Sequence, residues 1–236
     1  TAAVLAFPSR IKEKTLGLSA HGRILELCGR KTALALGPGL STNSETVKLV
    51  QKLVRSVNLP MVIDADGLSA LGGKLDLIRK SQKEIILTPH PGEMARLLGL
   101  AGQEIQQNRV QVARDFAQKY GVILVLKGAR SLVASGEGEV FINPTGNPGM
   151  ASGGMGDILT GMIGGFLAQG LPALEAAKLG VYLHGLTGDF VAHLKGQRGM
   201  AAMDLAEEAP RVLRALATGE GRVGDFSFPL RTEIYY

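Results

Sequence analysis

Four short apolar runs, residues 32–36, 61–63, 85–87 and 122–126, stop at Gly37, Asp64, Thr88 and Lys127, and runs of this kind alternate with helical patterns along the chain. Strand-length apolar runs alternating with helical periodicity are the mark of βα units, which pack as a mainly parallel sheet flanked by helices. The first helix is expected to be capped by Thr42, Asn43 or Ser44 and to place its apolar face on Val47, Val50, Leu53, Val54 and Val57. Residues 103–120 read as one amphipathic helix. Residues 132–133 and 140–142 read as two strands paired through the turn Ser135-Gly136-Glu137-Gly138, with long helices over 157–168, 173–194 and 204–217. A further strand is expected over 2–7. With 236 residues, 45% of them hydrophobic, and no repeat or linker, the chain is expected to form one α/β domain over 1–236, its last part, 219–236, an irregular tail.

In open α/β sheets, ligands bind beyond the carboxyl ends of the parallel strands. Gly37, Asp64, Thr88 and Lys127 all fall there, which points to one crevice. The stretch Asn147-Pro148-Gly149-Met150-Ala151-Ser152-Gly153-Gly154-Met155-Gly156-Asp157 then leads into an apolar helix. Glycines let a ligand approach the backbone, and the first N–H groups of a helix lack partners inside it. Such a junction is a seat for a phosphate or other oxyanion. Asp157 is badly placed to hold phosphate and well placed to take a proton from a hydroxyl beside a phosphoryl group; the competing reading makes it an N-terminal helix cap.

The other motifs carry paired readings too. Gly37-Pro38-Gly39 is a plain turn or a ligand-facing one. Asp64 and Asp66 position Mg²⁺ through water, or Asp66 caps a helix. His90, restrained between Pro89 and Pro91, is a turn residue or aims into the crevice, while Glu93 stays unassigned between helix cap and site. Lys127 is a solvated strand-end lysine or a cation near phosphate. His184 and Asp189, at i and i+5 on a late helix, do not share a face and are expected to serve packing.

Composition narrows the class. The 32 glycines cluster at the ends of apolar runs, as ligand-facing turns do. Cys28 is the only cysteine, which excludes a disulfide framework and points to a reducing compartment, the cytoplasm. The net charge of +5 suits a polyanionic ligand, but the Lys and Arg residues are scattered, which argues against nucleic acid. The most apolar helical stretch, 158–171, is too short to span a bilayer, so no membrane partner is expected. No Walker loop, zinc-ligand spacing or Gly-x-Ser-x-Gly elbow occurs, and no protein metal-ligand set is assigned.

In order along the chain, Leu36-Gly37-Pro38-Gly39-Leu40, Val62-Ile63-Asp64-Ala65-Asp66-Gly67-Leu68, Leu87-Thr88-Pro89-His90-Pro91-Gly92-Glu93-Met94, Val125-Leu126-Lys127-Gly128-Ala129 and the Gly-rich loop resemble the NAD(P)H-hydrate dehydratase family. These are ribokinase-like proteins that repair damaged nicotinamide cofactors, and the likeness runs from about Lys31 to about Leu216. It implies a ribokinase-like three-layer α/β fold and an ADP-dependent dehydration of the S epimer of hydrated NADH or NADPH, leaving AMP and phosphate. ADP would be the co-substrate, with ATP as the alternative, and Mg²⁺ the cofactor. The resemblance makes Asp157 the catalytic base and a substrate contact, and brings Gly39 and His90 to the hydrated ring. It lays Lys127, Gly128, Ala129, Arg130 and Ser131 along the adenine nucleotide, with Asn147, Gly153, Gly154 and Gly156 completing the phosphate site.

The resemblance also implies NAD(P)H-hydrate epimerase as a functional partner, fused upstream in many bacteria, and self-association into a homo-oligomer. Two departures stand out. Ser69 occupies a position where the family usually has Asn, and the family's first strands and their Gly-rich loop have no counterpart, so the chain is expected to be N-terminally incomplete. The aromatic tail from Phe226 to Tyr236 has no assigned role. Two rival functions are a ribokinase-like kinase for a small vitamin precursor and a non-catalytic nucleotide-binding remnant.

Overall fold

The structure, a computed structural model, describes residues 15–79 and 81–228. The strand expected over 2–7 and the tail beyond Phe228 lie outside the described residues. Six strands form one sheet in the order β1 (Leu34–Leu36), β2 (Met61–Ile63), β3 (Ile85–Leu87), β4 (Ile123–Leu126), β5 (Leu132–Ala134) and β6 (Val140–Ile142). The first four run parallel, and β5 and β6 are antiparallel, joined by the expected turn in which the Gly138 N–H donates to Ser135 O. The register sets Leu36, Ile63 and Leu87 side by side, so Gly37, Asp64 and Thr88 end level at one edge.

Side chains alternate across a strand, and here the alternation feeds two cores. Met61, Ile63 and Leu87 face Leu49, Leu53, Leu68 and Phe116. That layer holds α1 (His21–Cys28), α2 (Ser44–Ser56), α3 (Ala65–Ala70), α4 (Asp76–Arg79), α5 (Pro91–Leu98), α6 (Gly102–Gln107) and α7 (Arg109–Tyr120). Val62, Ile86 and Val125 face the opposite way, onto Ile163, Val181, Leu186 and Phe190 of α8 (Met155–Ala168) and α9 (Ala173–Lys195), with α10 (Ala202–Thr218) behind. The result is helices, sheet, helices: the three-layer arrangement.

Three local expectations change. Residues 103–120 form two helices because Asn108 leaves helical geometry (φ −126°, ψ 34°) between α6 and α7. Asn hydrogen-bonds locally and tolerates such breaks better than most residues. The run 32–36 is not buried throughout: Ala35 is exposed, because β1 is an outer strand among the described residues. Part of the supposed irregular tail is ordered, since β7 (Arg222–Val223) pairs with β8 (Phe226–Ser227) and Val223 and Phe228 are buried in the core beside α9 and α10. For α2 the cap is Asn43, whose side chain accepts the Glu45 N–H at 2.9 Å.

Candidate active site

The backbone stitches the strand ends into one rim. The Asp64 N–H donates to Leu36 O (3.0 Å), the Thr88 N–H to Ile63 O (3.2 Å) and the Lys127 N–H to Pro89 O (2.9 Å). Gly37 sits at φ +137°, and a Cβ there would stand 1.8 Å from Asp64 O, so the first glycine of Gly-Pro-Gly is required by the fold. Gly39 faces open space instead.

Asp64 is 1% exposed and ends β2 inside the rim. Its Oδ1 accepts from Lys127 Nζ at 2.7 Å, and its Oδ2 accepts from Thr160 Oγ1 of α8 at 2.8 Å. The same Lys127 ammonium lies 3.7 Å from Glu93 Oε2. A buried carboxylate is tolerated only when paired and hydrogen-bonded, and Lys127 supplies that compensation for two of them. A Cβ at Gly156 would come within 3.2 Å of Lys127 Nζ and 3.5 Å of Asp64 Oδ2, so this network lies directly against the first turn of α8. The expected Asp64/Asp66 pair does not form. Asp66 turns away to accept the Ser41 N–H at 2.7 Å, and no side chain caps α3.

His90 and Glu93 close a capping box at the start of α5. His90 Nδ1 accepts the N–H groups of Gly92 (3.0 Å) and Glu93 (3.4 Å), and Glu93 Oε2 accepts the His90 N–H (2.7 Å). Glu93 therefore caps the helix, and the same carboxylate faces Lys127. A bare Nδ1 puts the proton of the neutral ring on Nε2, and the half-exposed His90 side chain offers that donor at the rim. Ser69 lines a cavity of about 100 Å³ with Glu93 and Arg96, and its hydroxyl donates to Ala65 O in its own helix.

The Gly-rich loop is held from α9. Asp189 accepts the Gly146 N–H (2.8 Å) and the Asn147 side-chain amide (2.9 Å), while Asn147 Oδ1 accepts the Gly149 N–H (3.0 Å). The Asn147 side chain is thus engaged by its own loop. A Cβ at Gly188 would meet Met150 Sδ at 2.3 Å, so the loop rests on bare α9 backbone. His184 Nε2 donates to Met155 O at 2.9 Å, and burial, more than the nearby Lys127 charge, pushes its pKa down to about 4. His184 and Asp189, assigned to packing by their spacing, both fix this loop: two faces of one helix serve one target.

Gly154, at φ +84°, is the N-cap of α8, so Asp157 is not its cap but its third residue. The N–H groups of Met155, Gly156 and Asp157 have no partner among the described residues, and the first bonded amide is Ile158, donating to Gly154 O. The Asp157 side chain is exposed and likewise has no partner among the described residues. Across the rim, the Asn143 N–H donates to Ser131 O and the Arg130 guanidinium to Pro144 O, which draws Lys127–Ser131 beside the loop that carries Asn147.

A mainly parallel sheet flanked by helices, with a carboxylate beside the start of α8 at the strand ends, defines a ribokinase-like α/β protein. The model of the NAD(P)H-hydrate dehydratase family matches residues 4–211, and the chain belongs to that family. It is 49% identical over 201 residues to the bifunctional NAD(P)H-hydrate repair enzyme Nnr of Moorella thermoacetica, covering 85% of this chain and 38% of that protein. It is 40% identical to the ADP-dependent (S)-NAD(P)H-hydrate dehydratase of Neisseria meningitidis, covering 78% of this chain and 62% of that one. Among solved structures, the ADP/ATP-dependent NAD(P)H-hydrate dehydratase of Bacillus subtilis, co-crystallised with ATP/Mg²⁺ and soaked with CoA, superposes with a TM-score of 0.70 at 31% identity over 80% of this chain and 70% of that one. The chain therefore spans less than two thirds of either curated relative. Among the described residues, no helix is long and apolar enough to cross a membrane.

Proposed function

We propose that the chain catalyses the ADP-dependent dehydration of the S epimer of hydrated NADH and NADPH, a hydro-lyase reaction that restores the cofactor and releases AMP and phosphate. One observation carries this reading: the unpartnered Asp157 carboxylate stands in the first turn of α8, beside amides that also lack partners. Asp157 takes the proton of the ring hydroxyl as that oxygen attacks the terminal phosphorus of ADP and the bond to the AMP oxygen breaks. The free N–H groups at the start of α8 stabilise the charge on the moving phosphoryl group. The ring nitrogen's lone pair then expels phosphate from the adjacent carbon, and loss of a proton from the next carbon restores the double bond.

His90 and Gly39, at the rim, take the hydrated ring; residues 127–131 follow the nucleotide, with the Lys127 ammonium near its phosphates. Asn147 contributes by shaping the phosphate loop, together with Gly153, Gly154 and Gly156. The residues present leave no free carboxylate pair for Mg²⁺: both Asp64 oxygens are taken, by Lys127 Nζ and Thr160 Oγ1, and Glu93 Oε2 caps α5 and faces the same ammonium. Among the described residues no cluster of three or more metal-ligating side chains forms. Mg²⁺ would enter with the nucleotide, held through its phosphates and waters, and would neutralise phosphate charge.

The names of the Neisseria and Bacillus relatives support ADP, with ATP as a second donor. The bifunctional relatives support an NAD(P)H-hydrate epimerase as partner. The single cysteine, Cys28, which is buried and unpaired, supports a cytoplasmic setting. A dehydration assay tests the whole reading: NADH hydrate, Mg²⁺ and ADP are mixed with the chain while dihydronicotinamide absorbance and free phosphate are followed. Both signals rise together if the proposal holds. A stable phosphate ester would make the protein a kinase, and nucleotide binding without turnover would make it a remnant.

A further inference from the structure

We propose that Arg109 is the positioning residue of the loop 127–131: its guanidinium gathers carbonyl oxygens of the loop so that the N–H groups of Ala129 and Arg130 stand free for the phosphate-bearing ligand. The inference rests on the nucleotide-site reading above and adds a residue that no motif contains. Arg109 opens α7, yet its side chain reaches across to the β4–β5 loop. Nη1 donates to Ala129 O at 2.6 Å, and Nη2 donates to Leu126 O at 3.3 Å and Arg130 O at 3.4 Å. Gly128 adopts φ +144°, and a Cβ there would stand 3.1 Å from Nη2, so the glycine makes room for the guanidinium.

The consequence follows from peptide geometry. In a trans peptide the carbonyl of one residue and the N–H of the next point in opposite directions. Fixing Ala129 O and Arg130 O on Arg109 therefore turns the N–H groups of Arg130 and Ser131 away from it. Gly128 O is held in turn by Ser131 Oγ at 3.1 Å, which fixes the Ala129 N–H as well. The Ser131 N–H closes a turn onto Gly128 O, and the Ala129 and Arg130 amides have no partner among the described residues. Arg130 adopts φ +56°, a left-handed conformation unfavourable for a residue with a side chain, as expected of a loop shaped for something other than its own stability. Consecutive outward amides of this kind form an anion-binding concavity.

Arg109 itself is poorly served by its position. It puts a cation at the positive end of α7, and its Nε is buried without a partner. A purely packing role would not require a charged fork there. Lysine has three donors but gathers them on one compact ammonium, without the planar fork whose two nitrogens reach separate carbonyls here.

Calorimetric ADP binding, steady-state constants and melting curves are measured on the chain, R109K and R109A. R109K is expected to stay folded, with Kd and KM for ADP weakened about tenfold and KM for NADH hydrate little changed. Methylguanidinium is expected to restore ADP affinity to R109A. Unchanged ADP constants in folded R109K would overturn the inference, as would a parallel loss for both substrates tracking a lower melting point. Failure of the unaltered chain to bind ADP would overturn the proposed function and this inference with it.

Discussion

At the scale of single residues, the site turns on which groups are engaged and which are left free. Asp64, Lys127, Glu93 and Asn147 all have partners in the fold; Asp157 has none among the described residues. Replacing Asp157 by Asn therefore removes a proton acceptor without breaking a described contact. D157N is expected to melt as the parent does, to bind ADP, and to lose turnover about 10²–10⁴-fold, the usual worth of a general base. The check is kcat beside a melting curve, and a near-normal kcat would remove the base from the mechanism. The placement of Asp157 in the first turn of a helix was legible because glycines, a helix start and an acid are contiguous in sequence. Asp189 and His184 were not. Their task depends on where a distant loop comes to rest on α9, and helical spacing describes only the faces they occupy, not what lies against them.

At the scale of elements, α8 is fastened to the sheet by two polar contacts of high sequence separation, Thr32 Oγ1 to Ala168 O at its exposed end and Thr160 Oγ1 to the buried Asp64 carboxylate. Hydrogen bonds to charged groups contribute more than neutral ones, and a buried acceptor stripped of its donor bears the desolvation penalty. T160V keeps the shape and removes the donor, so it is expected to destabilise the chain by about 1.5–3 kcal/mol in urea unfolding. An unchanged midpoint would mean that Lys127 alone sustains Asp64. The strands themselves were readable, since β2 and β3 are buried throughout and their boundaries match the apolar runs. The break at Asn108 was not, because neither proline nor glycine marks it. The hairpin β7–β8 escaped notice for another reason: two-residue strands are shorter than any alternation can reveal. The Asp64–Lys127–Glu93 network was equally hidden, for it arises from strand register and joins residues as far apart as 64 and 127.

At the scale of the molecule, those separate tethers make the response to pH a collective property to which the buried His184 contributes a large shift. His184 links α9 to the first residue of α8, and its pKa in the fold lies at about 4 against an ordinary 6.5. Between those values the unfolded chain binds a proton that the native state refuses, so stability rises with pH across this window. It is complete above about pH 6.5 and declines as pH falls toward 4, with a loss of at most about 2 kcal/mol between pH 7 and pH 5. Asp204 and Asp225, whose pKa values are held below the usual 3.8 by hydrogen bonds from Lys195 and His193, act below this window. His21, also lowered, acts within it but sits far from the loop, which is why a variant comparison is needed. H184Q keeps an amide donor for Met155 O and cannot titrate, so its unfolding free energy should vary less between pH 7 and pH 5 than the parent's. Equal slopes would sink the assignment. Unequal slopes would tie the start of α8 to pH, because the proton that His184 refuses would otherwise place a second cation beside Lys127, at the already positive end of α8.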